Sequence, residues 1–312
     1  MILRMKRKIR NLLFGLIFLI GFFVLTYPTI ADQWNTYRQN TLITEYKAIT
    51  KEFTPEDFSM HWRAARKFNK TIKENTIFGD TFDTNDILGD DVEAQKKMDS
   101  QVLLADTLYG KVLNLSGTGV MGYISIPKIN IQLAIYHGTA EDILQKGVGH
   151  LNGSKLPIGG ESNHTILAAH RGLPSARLFT DIDQLMIGDR IYLHILDETL
   201  AYEVDQVLPM VDRNDQEALE EALKINEGED QVTLFTCTPY GVNSHRLLVR
   251  GSRVPYEGEE DIEKTPTETM LASVQNYYML YVILGLSITF LVILIMRFLL
   301  RPRKKSRKGE SE

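Results

Sequence analysis

Two apolar runs, one near each end, restrict this chain more than anything else in it. The first, "NLLFGLIFLIGFFVLTYPTI" (11–30), and the last, "YYMLYVILGLSITFLVILIM" (277–296), each hold twenty residues without a charge, and 298–300 prolong the second past Arg297. At 1.5 Å per residue, about 20 residues cross a hydrocarbon core of about 30 Å. A helix apolar on every side needs lipid or a large core around it, and a run ending in a basic tail suits lipid. Tyr277 and Tyr278 stand where an interfacial aromatic belt belongs. The first run admits two readings, a cleaved signal peptide and a retained anchor. Its length and the weak small-residue site at Thr29-Ile30-Ala31 favour the anchor.

The charges are arranged around these runs. Five basic residues (Arg4, Lys6, Arg7, Lys8, Arg10) precede the first, with no acid among them. Seven more (Arg297, Arg301, Arg303, Lys304, Lys305, Arg307, Lys308) close or follow the last. The stretch 31–276 keeps 23 basic residues against 38 acidic ones, a net of −15. So acidic a surface repels a phosphate backbone, which excludes nucleic acid as a partner. Basic flanks stay in the cytoplasm. The expected localisation is therefore the cell membrane, two-pass, with both ends cytoplasmic and the acidic middle extracellular.

Within that middle, 31–73 reads as helix. Trp34, Tyr37, Leu42, Tyr46 and Ile49 recur at helical spacing, and Thr54-Pro55-Glu56-Asp57 has the form of a helix start. Residues 74–118 read as a loop region, with "FGDTFDTNDILGDD" (78–91) at its heart. Asp80, Asp83, Asn85 and Asp90 are hard oxygen ligands, but the spacing of a calcium loop is absent. Between 119 and 256 the chain reads as mainly β. "MGYISIP", "INIQLAIYHG", "HTILAAHRG", "DRIYLHIL", "LAYEVDQVLPMV", "QVTLFTC" and "HRLLVRGSRV" are short Val/Ile/Leu-rich runs ended by turn residues. About eight such strands predict a closed or nearly closed barrel. Short helices are expected at "AEDILQKGVGH", "ARLFTDIDQL" and "DQEALEEALKI". The expected divisions are thus a basic N-terminus (1–10), a span (11–30), a helical segment (31–73), a loop region (74–118), the barrel (119–256), an acidic linker (257–276), a second span (277–300) and a basic tail (301–312).

The chain has one cysteine, Cys237. It closes the strand that begins "QVTLF", and Thr238-Pro239-Tyr240-Gly241 then turns the chain. Arg246 opens the next strand, so a hairpin would set a fixed cation beside the thiol. A free cysteine is often an inert buried residue, while an exported one risks oxidation, so both an inert and a reactive reading stand. A cysteine nucleophile needs a proton partner, usually histidine. Of seven histidines, His61 lies in the helical segment, His194 alternates within a strand, and His245 points away from the Arg246 side. His170 ends an apolar strand and precedes a turn, as Cys237 does, so it is the expected partner. Neither a His-Glu-x-x-His pattern nor a cysteine pair is present, so no metal is expected, and without a phosphate loop no cofactor is expected.

"TLFTC" followed by Arg246, with "HRG" at His170, resembles the sortases, transpeptidases of Gram-positive bacteria. "MGYISIPKINI", "IYHGT", "GVGHL", "LPIGG", "HRGLPSARLFTDID" and "TCTPYGVNSHRLLVRG" are similar to the pilus-polymerising class C, as are the last span and the basic tail. The resemblance covers most of 119–254. It implies an eight-stranded sortase-type β-barrel in which Cys237 is the nucleophile, His170 the acid and base, and Arg246 the oxyanion or substrate clamp. It also implies pilin subunits bearing LPxTG-like sorting signals as partners, cut between Thr and Gly and joined to a lysine amine. Alternatives with other amines or none are anchoring to cell-wall peptide, hydrolysis, and a non-catalytic membrane-tethered adaptor. One departure stands out: pilus sortases commonly carry an Asp-Pro-aromatic lid, and no Asp-Pro occurs between the first span and Gly119. Asp80-Thr81-Phe82 is a loose echo of it in the loop that occupies the lid's place.

Overall fold

The computed structural model of the chain describes residues 2–72, 107–258 and 285. The loop 78–91, the basic tail and the second apolar run, Gly285 apart, lie outside the described residues. The chain divides into two units, Met1–Glu259 and Glu260–Glu312, and every element named below belongs to the first.

Helix α1 runs Ile2–Lys51 without a break, so the apolar run and the amphipathic segment behind it are one rod. Two residues of turn separate it from the cap of α2 (Pro55–Asn69). That break has a local cause. Thr54 is extended and accepts a hydrogen bond from the Asp57 N–H, while the Asp57 carboxylate accepts from the Thr54 N–H at 2.9 Å. This reciprocal box satisfies two donors at the helix start, and Pro55 needs no donor there.

Ten strands follow among the described residues: β1 (Val120–Ile126), β2 (Ile131–His137), β3 (Val148–His150), β4 (Asn163–Ala168), β5 (Arg171–Leu173), β6 (Ala176–Leu178), β7 (Arg190–Ile195), β8 (Glu198–Asp212), β9 (Asp230–Thr238) and β10 (His245–Val254). Eight close into a barrel in the order β1-β2-β3-β4-β9-β10-β8-β7, and β5 with β6 forms a separate hairpin. The barrel is mixed. β2–β3 and β4–β9 are parallel, and the remaining barrel pairs are antiparallel.

Alternation along the strands sorts side chains into two layers. Leu167, Leu193, Tyr202, Val232, Leu234, Leu247 and Val249 fill the barrel, with Trp62 and Ala65 of α2 packed on the same core. Ile166, Ala168, Phe235 and Leu248 face outward, where the helix Gln216–Leu223 covers them with Leu219, Ala222 and Leu223. Burying one such aliphatic side chain contributes about 1.5–3 kcal/mol. A third apolar group docks α1: Ile43 and Tyr46 lie on Val120, Tyr123, Ala134 and Tyr136.

Two of the expected short helices differ. "AEDILQKGVGH" holds one helical turn, Glu141–Leu144, and then β3. "ARLFTDIDQL" begins as β6 and ends in a 3-10 turn, Ile182–Gln184. Both strands are three residues long, too short for a period to declare itself. In the last part of the expected loop region, Leu108–Lys111 is a helical turn, with Tyr109, Val112 and Leu113 in the core.

Tyr46 fixes α1 to the barrel by more than packing. Its hydroxyl accepts the Leu196 N–H at 2.8 Å and donates to the Met121 carbonyl at 3.3 Å. Tyr46→Phe keeps the ring and strands both backbone groups, which is expected to cost about 1–3 kcal/mol in equilibrium unfolding. An unchanged denaturation midpoint would show that these bonds contribute nothing net.

Candidate active site

The site is built where β4, β9 and β10 end or begin together. β9 and β10 pair antiparallel, and the register sets Arg246 directly opposite Cys237 and Leu248 opposite Phe235. All four therefore share the outer face. β4 pairs parallel with β9, with Ala168 opposite Phe235. The Ala169 N–H donates to the Phe235 carbonyl at 3.2 Å, and the Thr236 hydroxyl donates to the Ala169 carbonyl at 2.7 Å. His170 and Cys237 thus each stand two residues past a matched pair, at the same rim. The three residues expected from sequence are gathered by strand order.

Burial governs the electrostatics. Cys237 is 6% exposed and Arg246 is 0% exposed. Burial pushes the thiol above its ordinary value, against the lowering pull of first Arg246 and then Arg213. The thiol is thus mostly protonated at neutral pH. Burial also pulls the Arg246 guanidinium down, although guanidinium groups keep their charge in proteins. Its Nη1 donates to the Asn243 carbonyl at 3.1 Å and the His245 carbonyl at 3.2 Å. The hairpin turn thereby aims the group, and Asn243 takes the left-handed conformation (φ 59°) that the turn requires.

Five of the other histidines are occupied elsewhere, while His245, beside Arg246 on β10, lies with its Nδ1 2.9 Å from the Ser244 hydroxyl. His150 bonds the Tyr109 hydroxyl and the Lys155 carbonyl, His164 the Lys224 carbonyl and Thr233, and His194 Ser125 and Thr199. Burial pushes all three down to about 4. His137 is buried between the Gly119 and Val112 carbonyls and is lowered by burial too. His61 stacks on Phe53. His170 stands at the rim beyond β4, its side chain partly exposed.

Three residues join the site that sequence reasoning passed over. The Glu141 carboxylate lies 3.1 and 3.2 Å from His170 Nε2. Arg171 is a three-way tie. Its Nη1 donates to Thr238 Oγ1 at 3.1 Å, Nη2 to Asp183 at 2.6 Å, and Nε to the Thr180 carbonyl at 3.2 Å. The residue after the histidine is so bonded to the residue after the cysteine. Arg213, past the end of β8, supplies the second cation acting on the thiol. Gly172 sits at φ +79°, a conformation that favours glycine, and an added Cβ would lie 2.4 Å from the Tyr240 ring unless the ring moved. That ring, 61% exposed, covers the strand beside the rim.

A closed eight-stranded barrel with these residues on one rim has known relatives. The sortase domain family matches residues 124–254. Sortase C1 from Streptococcus agalactiae superposes with a TM-score of 0.56 at 42% identity, covering 70% of this chain and 100% of its own. The chain belongs to the sortase family. The pilus-related sortase C of Group B Streptococcus superposes at 0.57 with 33% identity, covering 69% of this chain and 98% of its own. Sortase D of Bacillus subtilis is 31% identical over 43% of this chain, and the match spans only 63% of that relative. The structural neighbours of this sortase are thus class C enzymes, within a family of cysteine transpeptidases.

The cations set a measurable property of this sortase. Arg246→Ala and Arg213→Ala each remove a lowering influence on Cys237, so each is expected to move the midpoint of iodoacetamide alkylation to higher pH, Arg246 by more. Midpoints that stay in place in both variants would mean that neither cation reaches the thiol.

Proposed function

We propose that this chain is a membrane-anchored transpeptidase that cleaves an LPxTG-like sorting signal between Thr and Gly and passes the acyl part to a lysine amine of a pilin. The observation that carries the reading is the pairing of Arg246 with Cys237 across β9–β10, with His170 closing the neighbouring parallel strand. Similarity to the pilus-related sortases C supports the pilin as substrate.

The chemistry follows from the groups. His170 takes the proton of Cys237, and the thiolate sulfur attacks the Thr carbonyl carbon. Negative charge gathers on the carbonyl oxygen, and Arg246 offers it charge-assisted hydrogen bonds. The C–N bond breaks as His170 gives its proton to the Gly amine, leaving a thioester on Cys237. Glu141 holds the imidazole while it carries that proton. The lysine amine then attacks the thioester carbonyl, loses a proton to His170, and expels the thiolate as the isopeptide bond forms. In this reading residues 11–30 and 277–300 hold the chain in the membrane, with the barrel on the outer side.

Intact-mass measurement of the chain mixed with an LPxTG-type peptide is expected to show a gain equal to the acyl fragment. Cys237→Ala should show none, and adding a lysine-bearing peptide should discharge the adduct into a branched product. An adduct that yields only free acid would make the enzyme a hydrolase; no adduct at all would leave the adaptor reading standing. Arg246→Ala, which removes one oxyanion donor, is expected to lower kcat by about 10²-fold or more. A variant near full activity would move the oxyanion elsewhere.

A further inference from the structure

The unbroken helix α1 serves as a ruler, because it carries both the apolar run and the contacts to the barrel. Asp32 lies two residues past the end of the run at 30, about 3 Å along the axis. Its Oδ1 accepts the Arg177 N–H at 2.9 Å. Arg177 is on β6, two residues before Phe179, whose N–H donates to the His170 carbonyl at 3.1 Å. The membrane end of α1 thus touches the hairpin that leads out of the catalytic rim. Tyr46 lies about 21 Å farther along and bonds Leu196 in the β7–β8 turn. α2 sits at that far end. The Trp62 indole donates to Asp197 at 2.8 Å, and the Asn69 amide donates to Asn163, the first residue of β4, at 3.0 Å. β4 therefore begins at the end remote from the apolar run and delivers His170 to the near one.

Two exposed aromatic side chains locate the headgroup layer. Trp34 and Tyr37 are 63% and 64% exposed and lie against each other, ring centres 5.8 Å apart. They stand about 6–10 Å past the run, the depth at which Trp and Tyr favour a membrane interface. Asp32, and with it Arg177, falls inside that layer.

We infer that the rim carrying Cys237, His170 and Arg246 faces the outer membrane surface, within roughly 15 Å of the lipid headgroups. The partner this surface fits is the headgroup layer of the bilayer that α1 spans. The exposed guanidinium of Arg177, ion-paired with Asp181, sits at the contact. A substrate held in the same bilayer meets the thiol at a high effective concentration, whereas a soluble chain must enter a gap between protein and lipid. The inference rests on 11–30 being a retained span, and the position of the rim can be measured without turnover.

The full chain in lipid nanodiscs, labelled at Cys237, its single thiol, is tested against short-range quenchers attached to lipid headgroups. The reference is Cys237→Ala carrying Glu52→Cys, at the far end of α1. Several-fold stronger quenching at 237 than at 52 is expected; equal quenching, or the reverse order, overturns the inference. A second variant inserts seven helix-forming residues after Ile30, about 10 Å and close to two whole turns, leaving the Asp32–Arg177 contact intact. Turnover of a membrane-anchored substrate should fall about tenfold while turnover of a soluble peptide holds, and unchanged turnover of the anchored substrate counts against the inference. If the unmodified chain fails on the soluble peptide, the transpeptidase reading falls, and the quenching still decides where the rim lies.

Discussion

The parallel pairing of β4 with β9 is the constraint on which the rest of the site depends. Antiparallel neighbours end at opposite rims; parallel ones end together. The six matched pairs from Asn163↔Asp230 to Ala168↔Phe235 therefore deliver His170 and Cys237 to one place, although 67 residues of chain separate them. Parallel partners cannot be joined by a tight turn. The connection that results holds the β5–β6 hairpin, β7, β8 and the helix Gln216–Leu223, which supply Asp183, Arg213 and the outer apolar cover.

That cover explains how a cation and a thiol come to be buried on the outside of a barrel. Phe235, Leu248 and the helix Gln216–Leu223 form a second apolar layer, and Arg246 lies with its guanidinium 6.0 Å from the Phe235 ring. A buried guanidinium costs free energy unless its donors are used. Carbonyls of the turn take up part of that need, and the charge offsets part of the desolvation of the thiol. The balance leaves a protonated, shielded sulfur, a form slow to oxidise.

Sequence reached the parts of this arrangement that are local. Val/Ile/Leu-rich runs gave seven of the barrel strands, because each is long enough for alternation and turn residues to be read. Arg246 was legible because a hairpin brings back the residue that follows the turn, and His170 because it ends a strand as Cys237 does. β3 was missed within "GVGH": the strand itself, Val148–His150, is three residues with a glycine at its centre, too short to show a period. Glu141 and Arg171 were missed for a different reason. Their partners lie 29 and 67 residues away, and only the closed barrel brings those segments together. Residues 11–30 and 31–73 read as separate segments because the pattern changes from wholly apolar to amphipathic at 30, although one helix runs through the change.

β9 is an inner strand, held along its length by β4 on one side and by β10 on the other. An acyl chain hung from Cys237 and drawn away along the strand direction would load both ladders lengthwise. Ladder bonds lie across the strands, so such a pull shears them all at once instead of opening them one after another. On the proposed chemistry, the strand that bears Cys237 is thereby the element best placed to withstand such a pull.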